Sequence, residues 1–308
     1  MGKTIRLIVG ITVLFMGCTG PEDKTQDYKI EGRSEDIVMV VADDYDIELL
    51  GRWPWPRAVI ATVLEYIQAG GPKTVVLDIM FSEESLEEQD RTLQNILKKY
   101  DNFFLAAAFR ENVIPGRRPL TFDNDYNLDP QFFREFNLPQ TRHAVLPLKR
   151  FREEAEGIGS ISNFPSETEL FREFPLIIAY RNNIIPSLAL AAACNYLDIS
   201  PHAVEGFRDG DNYFINLGDG DISVNSSGKM PLVLPDRGKG FKKLSVRNII
   251  RMHENNKDEL RNMLEDKMVF VGANATGVQD TVATEKSLYY PGLELLAAAA
   301  ENLVRQLP

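Results

Sequence analysis

The sequence has little cysteine and histidine, and it lacks a long apolar run. Its 308 residues include 2 cysteines, Cys18 and Cys194, and 3 histidines. Two cysteines cannot build a framework of disulfides, and so few Cys and His residues argue against a zinc site of the Cys/His kind. The apolar run at residues 5–17 is shorter than the roughly 20 residues that a membrane-spanning helix needs. These shortages exclude a disulfide-stapled miniprotein and a polytopic membrane protein.

Basic residues are also in short supply. The chain has 34 Lys and Arg against 45 Asp and Glu, which gives a net charge of −11. A surface of this charge repels phosphate groups, so we expect no nucleic-acid partner. Apolar residues make up 44% and charged residues 26% of the sequence, as in ordinary globular proteins, which excludes a disordered chain.

The N-terminus carries the parts of an export signal. Lys3 and Arg6 lie at the start of the apolar run, which ends at Gly17, a small residue, directly before Cys18. This order is typical of a secretory signal peptide. We therefore predict a signal peptide at residues 1–18 and a polar tether at 19–35. The protein is expected to be exported, at the periplasmic or extracellular face of a membrane.

Two forms of membrane attachment follow from this segment. The order Leu14-Phe15-Met16-Gly17-Cys18 is similar to a bacterial lipoprotein cleavage site, in which the cysteine thiol receives the lipid. Cys18 is therefore the candidate lipidation residue. The alternative is an uncleaved N-terminal anchor helix with an incidental cysteine. In both cases the N-terminal segment or its lipid is the predicted contact with the membrane.

After the tether, predicted strands and helices alternate. Strands are predicted at 36–42, 74–81 and 102–109, and helices at 56–69 and 87–100. The strands are nearly continuous β-branched or apolar runs, a pattern typical of strands buried on both faces. The order predicts an α/β fold with a mostly parallel buried sheet flanked by helices. Between 110 and 151 the periodicity is lost, which predicts an irregular central insertion.

The second half of the chain continues with mixed elements. Extended segments are predicted at 158–164, 174–180, 213–217 and 222–224, a strand at 268–272, and helices at 187–197, 245–252 (continuing through 254–266) and 294–307. Cys194 lies inside one of these helices, where we expect it to act as a small buried hydrophobe. Without an internal repeat or a clean linker, residues 36–308 are predicted to form one domain.

Three sequence blocks carry a family resemblance. They are Val40–Asp44 with Leu50–Arg57, Thr74–Glu83 with Asp90, and Lys267–Gly277 with Asp280 and Tyr290–Glu294. In order and spacing they resemble the CHASE2 family of extracytoplasmic sensor domains, over residues 36–303. Domains of that family usually precede transmembrane helices that lead to a cytoplasmic nucleotide cyclase, histidine kinase, protein kinase or diguanylate cyclase.

The resemblance implies a bacterial signal-sensing domain rather than an enzyme. It would bind a small-molecule or protein signal, without a cofactor, and would be coupled to an output domain that this chain does not contain. Two features depart from the family: residues 163–172 lack its Asp-x-Asp-Gly turn, and the chain ends at Pro308, where a first membrane helix is expected. The alternative is therefore a stand-alone envelope lipoprotein that acts as a binding or scaffold module.

Polar residues of the three blocks follow predicted strand ends. Ligands of open α/β sheets bind beyond the carboxyl ends of the strands. The candidate ligand-binding residues are Asp43, Asp44, Arg52, Trp53, Arg57, Asp78, Asn274 and Asp280. We expect a ligand there to shift the helix at 294–307 relative to the sheet.

Each of these groups also has a simpler interpretation. Asp43, Asp44 and Asp78 together could bind Mg²⁺ or Ca²⁺, but Asp43 and Asp78 could instead cap turns or pair with Arg52 or Arg57. Trp53 and Trp55, each followed by proline, indicate a stiff apolar loop that seats the next helix rather than a ligand-stacking surface. Residues 272–277 lack the Lys-Ser/Thr of a P-loop and are interpreted as a tight turn.

A metal-dependent hydrolase is the enzymatic alternative. It would use Asp43, Asp44, Asp78 and Asp280, but no residue supplies a convincing base or leaving-group acid. We therefore assign no catalytic residue and no metal ligand.

Overall fold

The computed structural model describes residues 4–6, 12–14, 35–112, 127–162, 170–218, 220–235, 240–278 and 280–306. The strands in these residues are β1 (Thr4–Arg6), β2 (Thr12–Leu14), β3 (Ile37–Ala42), β4 (Thr74–Leu77), β5 (Phe103–Arg110), β6 (Gln140–Thr141), β7 (His143–Val145), β8 (Gly157–Ser160), β9 (Glu173–Pro175), β10 (Ile177–Tyr180), β11 (Asn183–Pro186), β12 (Glu205–Asp209), β13 (Asn212–Asn216), β14 (Asp221–Val224), β15 (Lys229–Pro231), β16 (Lys242–Ser245), β17 (Met268–Ala273), β18 (Thr281–Val282) and β19 (Tyr290–Pro291).

The helices lie between these strands. They are α1 (Asp44–Leu50), α2 (Arg57–Gln68), α3 (Glu87–Lys99), α4 (Lys149–Arg152), α5 (Leu188–Tyr196), α6 (Val246–Asn255), α7 (Lys257–Leu264) and α8 (Gly292–Gln306). Two short 3₁₀ helices span Pro130–Phe133 and Pro201–Ala203.

A seven-stranded sheet forms the centre of the fold. Its strand order is β16-β3-β17-β4-β5-β7, with β8 also paired to β5. All pairs are parallel except β5 with β7. The register is fixed at Phe270, which lies opposite Met39 of β3 on one side and Val76 of β4 on the other. The predicted α/β fold with a mostly parallel sheet is confirmed.

Helices cover both faces of this sheet. In β3, Ile37, Met39 and Val41 face a cluster that contains α5 and α8, whereas Val38 and Val40 face a cluster that contains α2, α3, α6 and α7. This explains why β3 is a continuous apolar run, since every one of its side chains is buried. Cys194 is 2% exposed, and burial raises the pKa of its thiol to about 12, which confirms it as an inert core residue.

Several predicted boundaries are wrong by a few residues. β4 ends at Leu77, so the strand predicted at 74–81 is four residues too long. The helix predicted to run through 254–266 is interrupted at Asn256, whose side chain accepts a hydrogen bond from Glu259 N at 3.1 Å and caps α7. The segment at 174–180 is divided between β9 and β10.

The export prediction falls mostly outside the described residues. Cys18 and the tether lie there, as do residues 163–169 of the departing turn and part of the predicted insertion. Near the N-terminus, β1 and β2 pair antiparallel, with Ile5 opposite Val13. Across the described ranges, no helix combines the length and apolar character needed to cross a membrane.

Candidate functional site

The carboxyl ends of β3, β17 and β4 bring three candidate residues to one edge of the sheet. Asp43 follows β3, and Asn274 follows β17 and donates its backbone N–H to Ala42 O at 2.9 Å. Asp78 follows β4 and donates its backbone N–H to Val271 O at 2.9 Å. These three strands are neighbours, so the residues share an edge, as the strand order of an open sheet dictates.

Asp43 is held by structural contacts. Its carboxylate accepts a hydrogen bond from Asp46 N at 2.8 Å and caps α1, and Arg247 Nη1 lies 2.8 and 2.9 Å from its two oxygens. Asp46 is fully buried and accepts from the backbone N–H groups of Val246 and Arg247 at 3.1 and 3.2 Å. Burial, with the neighbouring charge of Asp43, raises the pKa of the Asp46 carboxyl. Arg52 and Arg57 were the expected partners of Asp43, but Arg247 takes this position instead.

Asp44 also has a structural role. Its carboxylate accepts hydrogen bonds from Thr276 N at 2.8 Å and from Thr276 Oγ1 at 3.1 Å, which ties α1 to the loop after β17. Among the described residues, no group of three or more His, Cys, Asp or Glu side chains could hold a metal ion. Asp43 and Asp44 are therefore held by separate partners, Arg247 and Thr276, rather than joined in a cation-binding cluster.

The Trp-Pro loop, residues 51–56, is built around two packed indole rings. Trp53 and Trp55 pack edge to face with ring centroids 4.9 Å apart, and the Trp53–Pro54 peptide is cis. Trp55 is 4% exposed and its indole N–H donates to Gly51 O at 2.9 Å. The two rings therefore support the loop that leads into α2. Arg52 is exposed and, among described residues, has no ion-pair partner.

Arg57, the first residue of α2, joins this loop to the segment after β4. Its buried guanidinium donates to the Asp90 carboxylate and to the backbone carbonyl of Glu83, and it lies 5.1 Å from the centre of the Phe151 ring. Asp90 also accepts from Ser85 N at 3.2 Å. A buried ion pair with these additional hydrogen bonds fixes the distance between α2, α3 and residues 83–85.

A cleft of about 540 Å³ lies between the Trp-Pro loop and the segment that follows β4. Its volume is within the range of small-molecule binding sites. Two of the three sequence blocks form its walls, which are Arg52, Pro54, Trp55, Pro56, Arg57 and Ile60 on one side and Ile79, Met80, Phe81, Ser82, Glu83, Glu84, Ser85, Leu86 and Gln89 on the other. Of the candidate ligand residues, the structure places Arg52 and Arg57 here, and the cleft wall includes Trp55 rather than Trp53.

The acceptor side chains of the cleft lie within residues 82–89. Glu83 and Glu84 are exposed, and the buried Oε1 of Gln89 has no hydrogen-bond partner in the described structure. The charge of Arg57 is neutralised by Asp90, so Arg52 is the cation left on the wall. A buried acceptor without a donor is costly unless something supplies that donor. The cleft therefore suits a ligand with an apolar body and N–H donors.

Asp78 and Asp280 lie beside the start of α8. Asp280 O accepts from Gly292 N, the first residue of the helix, at 2.8 Å. Burial, with a smaller contribution from the charge of Asp280, raises the pKa of Asp78 from 3.8 to about 6. The two carboxyl groups are not part of the cleft lining, but Asp78 begins the segment that forms one wall.

Sequence reasoning missed several residues of this region. Asp46 could have been found, because Asp43-x-x-Asp46 is a capping-box pattern at the start of α1. Asp90 belongs to one of the blocks, but nothing local identifies it as the partner of Arg57, 33 positions away. Arg247 and Thr276 lie more than 200 positions from the carboxylates that they bind.

The chain thus has a three-layer α/β fold with a cleft of ligand size near the carboxyl edge of its sheet. The family model described as CHASE2 domain matches residues 5–308. This chain therefore belongs to the CHASE2 family of extracytoplasmic sensor domains, which are sensory rather than catalytic. The resemblance carried by the three blocks is confirmed, and with it an exported location. No curated protein and no solved structure matches the chain.

Proposed function

We propose that this domain senses a small extracytoplasmic ligand that binds in the cleft between the Trp-Pro loop and residues 79–86. The observation that carries the proposal is that residues of two family blocks, one before α2 and one after β4, line the same cavity. The unpartnered Gln89 acceptor and the exposed carboxylates of Glu83 and Glu84 favour an amine-bearing ligand with an apolar portion.

The position of the cleft also suggests how binding is transmitted. Ile79, Met80 and Phe81 line the cleft directly after Asp78, which lies near the first turn of α8. A ligand that binds one arrangement of this segment more tightly than another shifts the population toward that arrangement. In this proposal α8 carries the change toward an output domain, and the N-terminal segment, through Cys18 or an uncleaved anchor, holds the domain at the membrane.

Thermal unfolding of the purified chain tests the binding site. The probes are amino acids, aliphatic diamines and short basic peptides, each titrated to saturation. A ligand at 100 times its Kd stabilises the folded state by about 2.7 kcal/mol, which is a readily measured shift. The double variant Glu83→Gln/Glu84→Gln should lose the shift, and Glu48→Gln, an exposed carboxylate on α1 outside the cleft, should keep it.

Two results would contradict the site. One is a saturable shift that the Glu83/Glu84 variant keeps in full, and the other is an amine panel without any saturable shift. Binding of divalent cations alone would also contradict it and would favour a site at the carboxylates on the carboxyl edge of the sheet.

A protein partner is the second candidate signal. Leu288 and Tyr289 are 66% and 76% exposed in the loop between β18 and β19, and Leu86 at the edge of the cleft is 69% exposed. Leu288 and Tyr289 are adjacent, and neighbouring apolar side chains with this exposure are typical of a contact surface. The Leu288→Ser/Tyr289→Ser variant would then lose its partner in crosslinking on intact cells while keeping its unfolding temperature.

A further inference from the structure

Asp78 occupies an unusual position between the sheet and the last helix. A Cβ built on Gly272 of β17 would lie 3.2 Å from both methyl carbons of Leu293 and 3.5 Å from the Cβ of Asp78. Leu293 is the second residue of α8 and is 3% exposed. The first turn of α8 and Asp78 thus both approach β17 closely at Gly272.

Asp280 also lies at the start of this helix. Its carbonyl accepts from Gly292 N at 2.8 Å, and its Cβ lies 3.7 Å from a Cβ built on Gly292. The two aspartates thus flank consecutive residues at the start of α8. Movement of either aspartate changes the seat of this helix.

The Asp78 carboxyl has no compensating partner among the described residues. No hydrogen bond or ion pair reaches it there, and the first N–H of α8 is taken by Asp280 O instead. β4 and β17 contribute no other ionisable side chain. Glu294, in the first turn of α8, is bound by Lys243 of β16 at 2.5 Å. Asp280 is therefore the neighbouring charge that acts on Asp78, and it disfavours the ionised form.

We propose that Asp78 is a proton-sensing site, in which a proton bound to its carboxyl keeps the start of α8 seated on β4 and β17. Loss of that proton to water leaves two carboxylates beside the helix start, one of them desolvated, and loosens the seat of Leu293. Asp78 as a residue is partly exposed, at the edge of the sheet. The extracytoplasmic side, unlike the cytoplasm, is not buffered near neutral pH, and there such a site converts acidity into a movement of α8.

The pKa of Asp78 sets the range of the effect. Its value rises from 3.8 to about 6 in the folded structure, and we expect it to return to its ordinary value when α8 is displaced. The equilibrium for opening of the helix start then changes between about pH 4 and pH 6 and levels off above that range. A difference of about two pKa units allows a change of up to about 100-fold in that equilibrium.

Amide hydrogen exchange of the full chain, followed for peptides that cover 290–300, tests this site. After correction for the intrinsic pH dependence of exchange, protection of the first turn of α8 should fall as the pH rises from 4 to 6. Asp78→Asn resembles the protonated form and should keep the turn protected at every pH. Asp280→Asn should reduce the transition without removing it, because burial is the larger cause. Glu48→Gln, an exposed carboxylate on α1, should behave as wild type.

Two outcomes would overturn the proposal. One is protection in the wild type that does not change between pH 4 and pH 7, and the other is an unchanged transition in Asp78→Asn. If that variant does not fold, the carboxyl carbon of Asp78 can be titrated directly by NMR in the wild type. A midpoint near 6 supports the site and one near 4 overturns it. The proposed ligand-binding cleft uses other groups. An amine panel without a thermal shift would therefore not change the outcome of this test.

Discussion

Replacement of Asp90 by asparagine removes the negative charge from the buried ion pair that joins the two walls of the cleft. The side chains of Asp90 and Arg57 are 2% and 10% exposed, so neither charge can be satisfied by bulk water. Asp90→Asn keeps the shape of the side chain and leaves the guanidinium of Arg57 without its counter-charge. Removal of one partner from a buried pair costs about 3–5 kcal/mol.

The surrounding contacts place this variant within that range. Arg57 keeps the Glu83 carbonyl and the face of Phe151, which offset part of the loss. Against this, the Ser85 N–H loses a charged acceptor, and Arg150, whose Nη1 lies 3.9 Å from Asp90, loses an attractive charge. We therefore expect Asp90→Asn to lower the free energy of unfolding by about 3 kcal/mol.

Urea unfolding at pH 7, with the slope checked for constancy, measures this change. Arg91→Gln is the matched control, because its ion pair with Glu87 is on the same helix, 67% and 62% exposed, and 3.5 Å long. An exposed i,i+4 pair contributes only about 0.3–0.5 kcal/mol. The double variant Arg57→Met/Asp90→Leu should lower the free energy of unfolding by less than the sum of Arg57→Met alone and Asp90→Leu alone, because it leaves no buried charge.

The reasoning is refuted if Asp90→Asn and Arg91→Gln destabilise the chain equally. A strictly additive double variant would also contradict it, because additivity would mean that the two side chains act independently.

Three further predictions concern other parts of the fold. Gly159→Ala places a Cβ 2.3 Å from Leu188 Cα and should lower stability in urea by about 1–3 kcal/mol, whereas Gly240→Ala, with no described atom within 4 Å, should change it by less than about 0.5 kcal/mol. Asp46→Ala leaves three backbone N–H groups, those of Asp43, Val246 and Arg247, without this acceptor and should cost about 2–4 kcal/mol in the same assay. Since the pKa of Asp78 is raised from 3.8 to about 6, its contribution to stability is complete below pH 3.8 and is lost as the pH rises to 6. At 1.36 kcal/mol per pKa unit the full loss is about 3 kcal/mol. The measurement is the unfolding free energy of the wild type minus that of Asp78→Asn, followed from pH 4 to pH 7.

The buried parts of the fold could be predicted because their signals are local. The continuous apolar run of β3 and the amphipathic spacing of α2 each identify an element without knowledge of the rest. β16 was missed because it is an edge strand with two lysines in four residues, and its pairing with β3 joins positions about 200 residues apart. α1 was missed because it has only seven residues, too few for a periodic pattern.

The candidate site was predictable in position but not in pairing. The strand-end rule correctly placed Asp43, Asn274 and Asp78 at one edge. It could not say which cation neutralises Asp43, because Arg247 is brought there by β16 and the start of α6. Arg57 was expected to serve that edge, but as the first residue of α2 it reaches Asp90 on α3.

The cleft and Asp78 share one stretch of chain. Asp78 ends the sheet at β4, and Ile79, Met80 and Phe81 continue directly into the cleft wall. Phe81 O accepts from Leu148 N at 2.8 Å, and Glu83 O is held by Arg57, so the far end of the stretch is anchored while Asp78 contacts the neighbourhood of α8. Coupling between two sites is reciprocal. A ligand that shifts residues 79–81 therefore changes the proton affinity of Asp78 by the same factor by which a proton at Asp78 changes the affinity for that ligand. The pH dependence of ligand affinity in the wild type, and its absence in Asp78→Asn, would show that both signals act through the seat of α8.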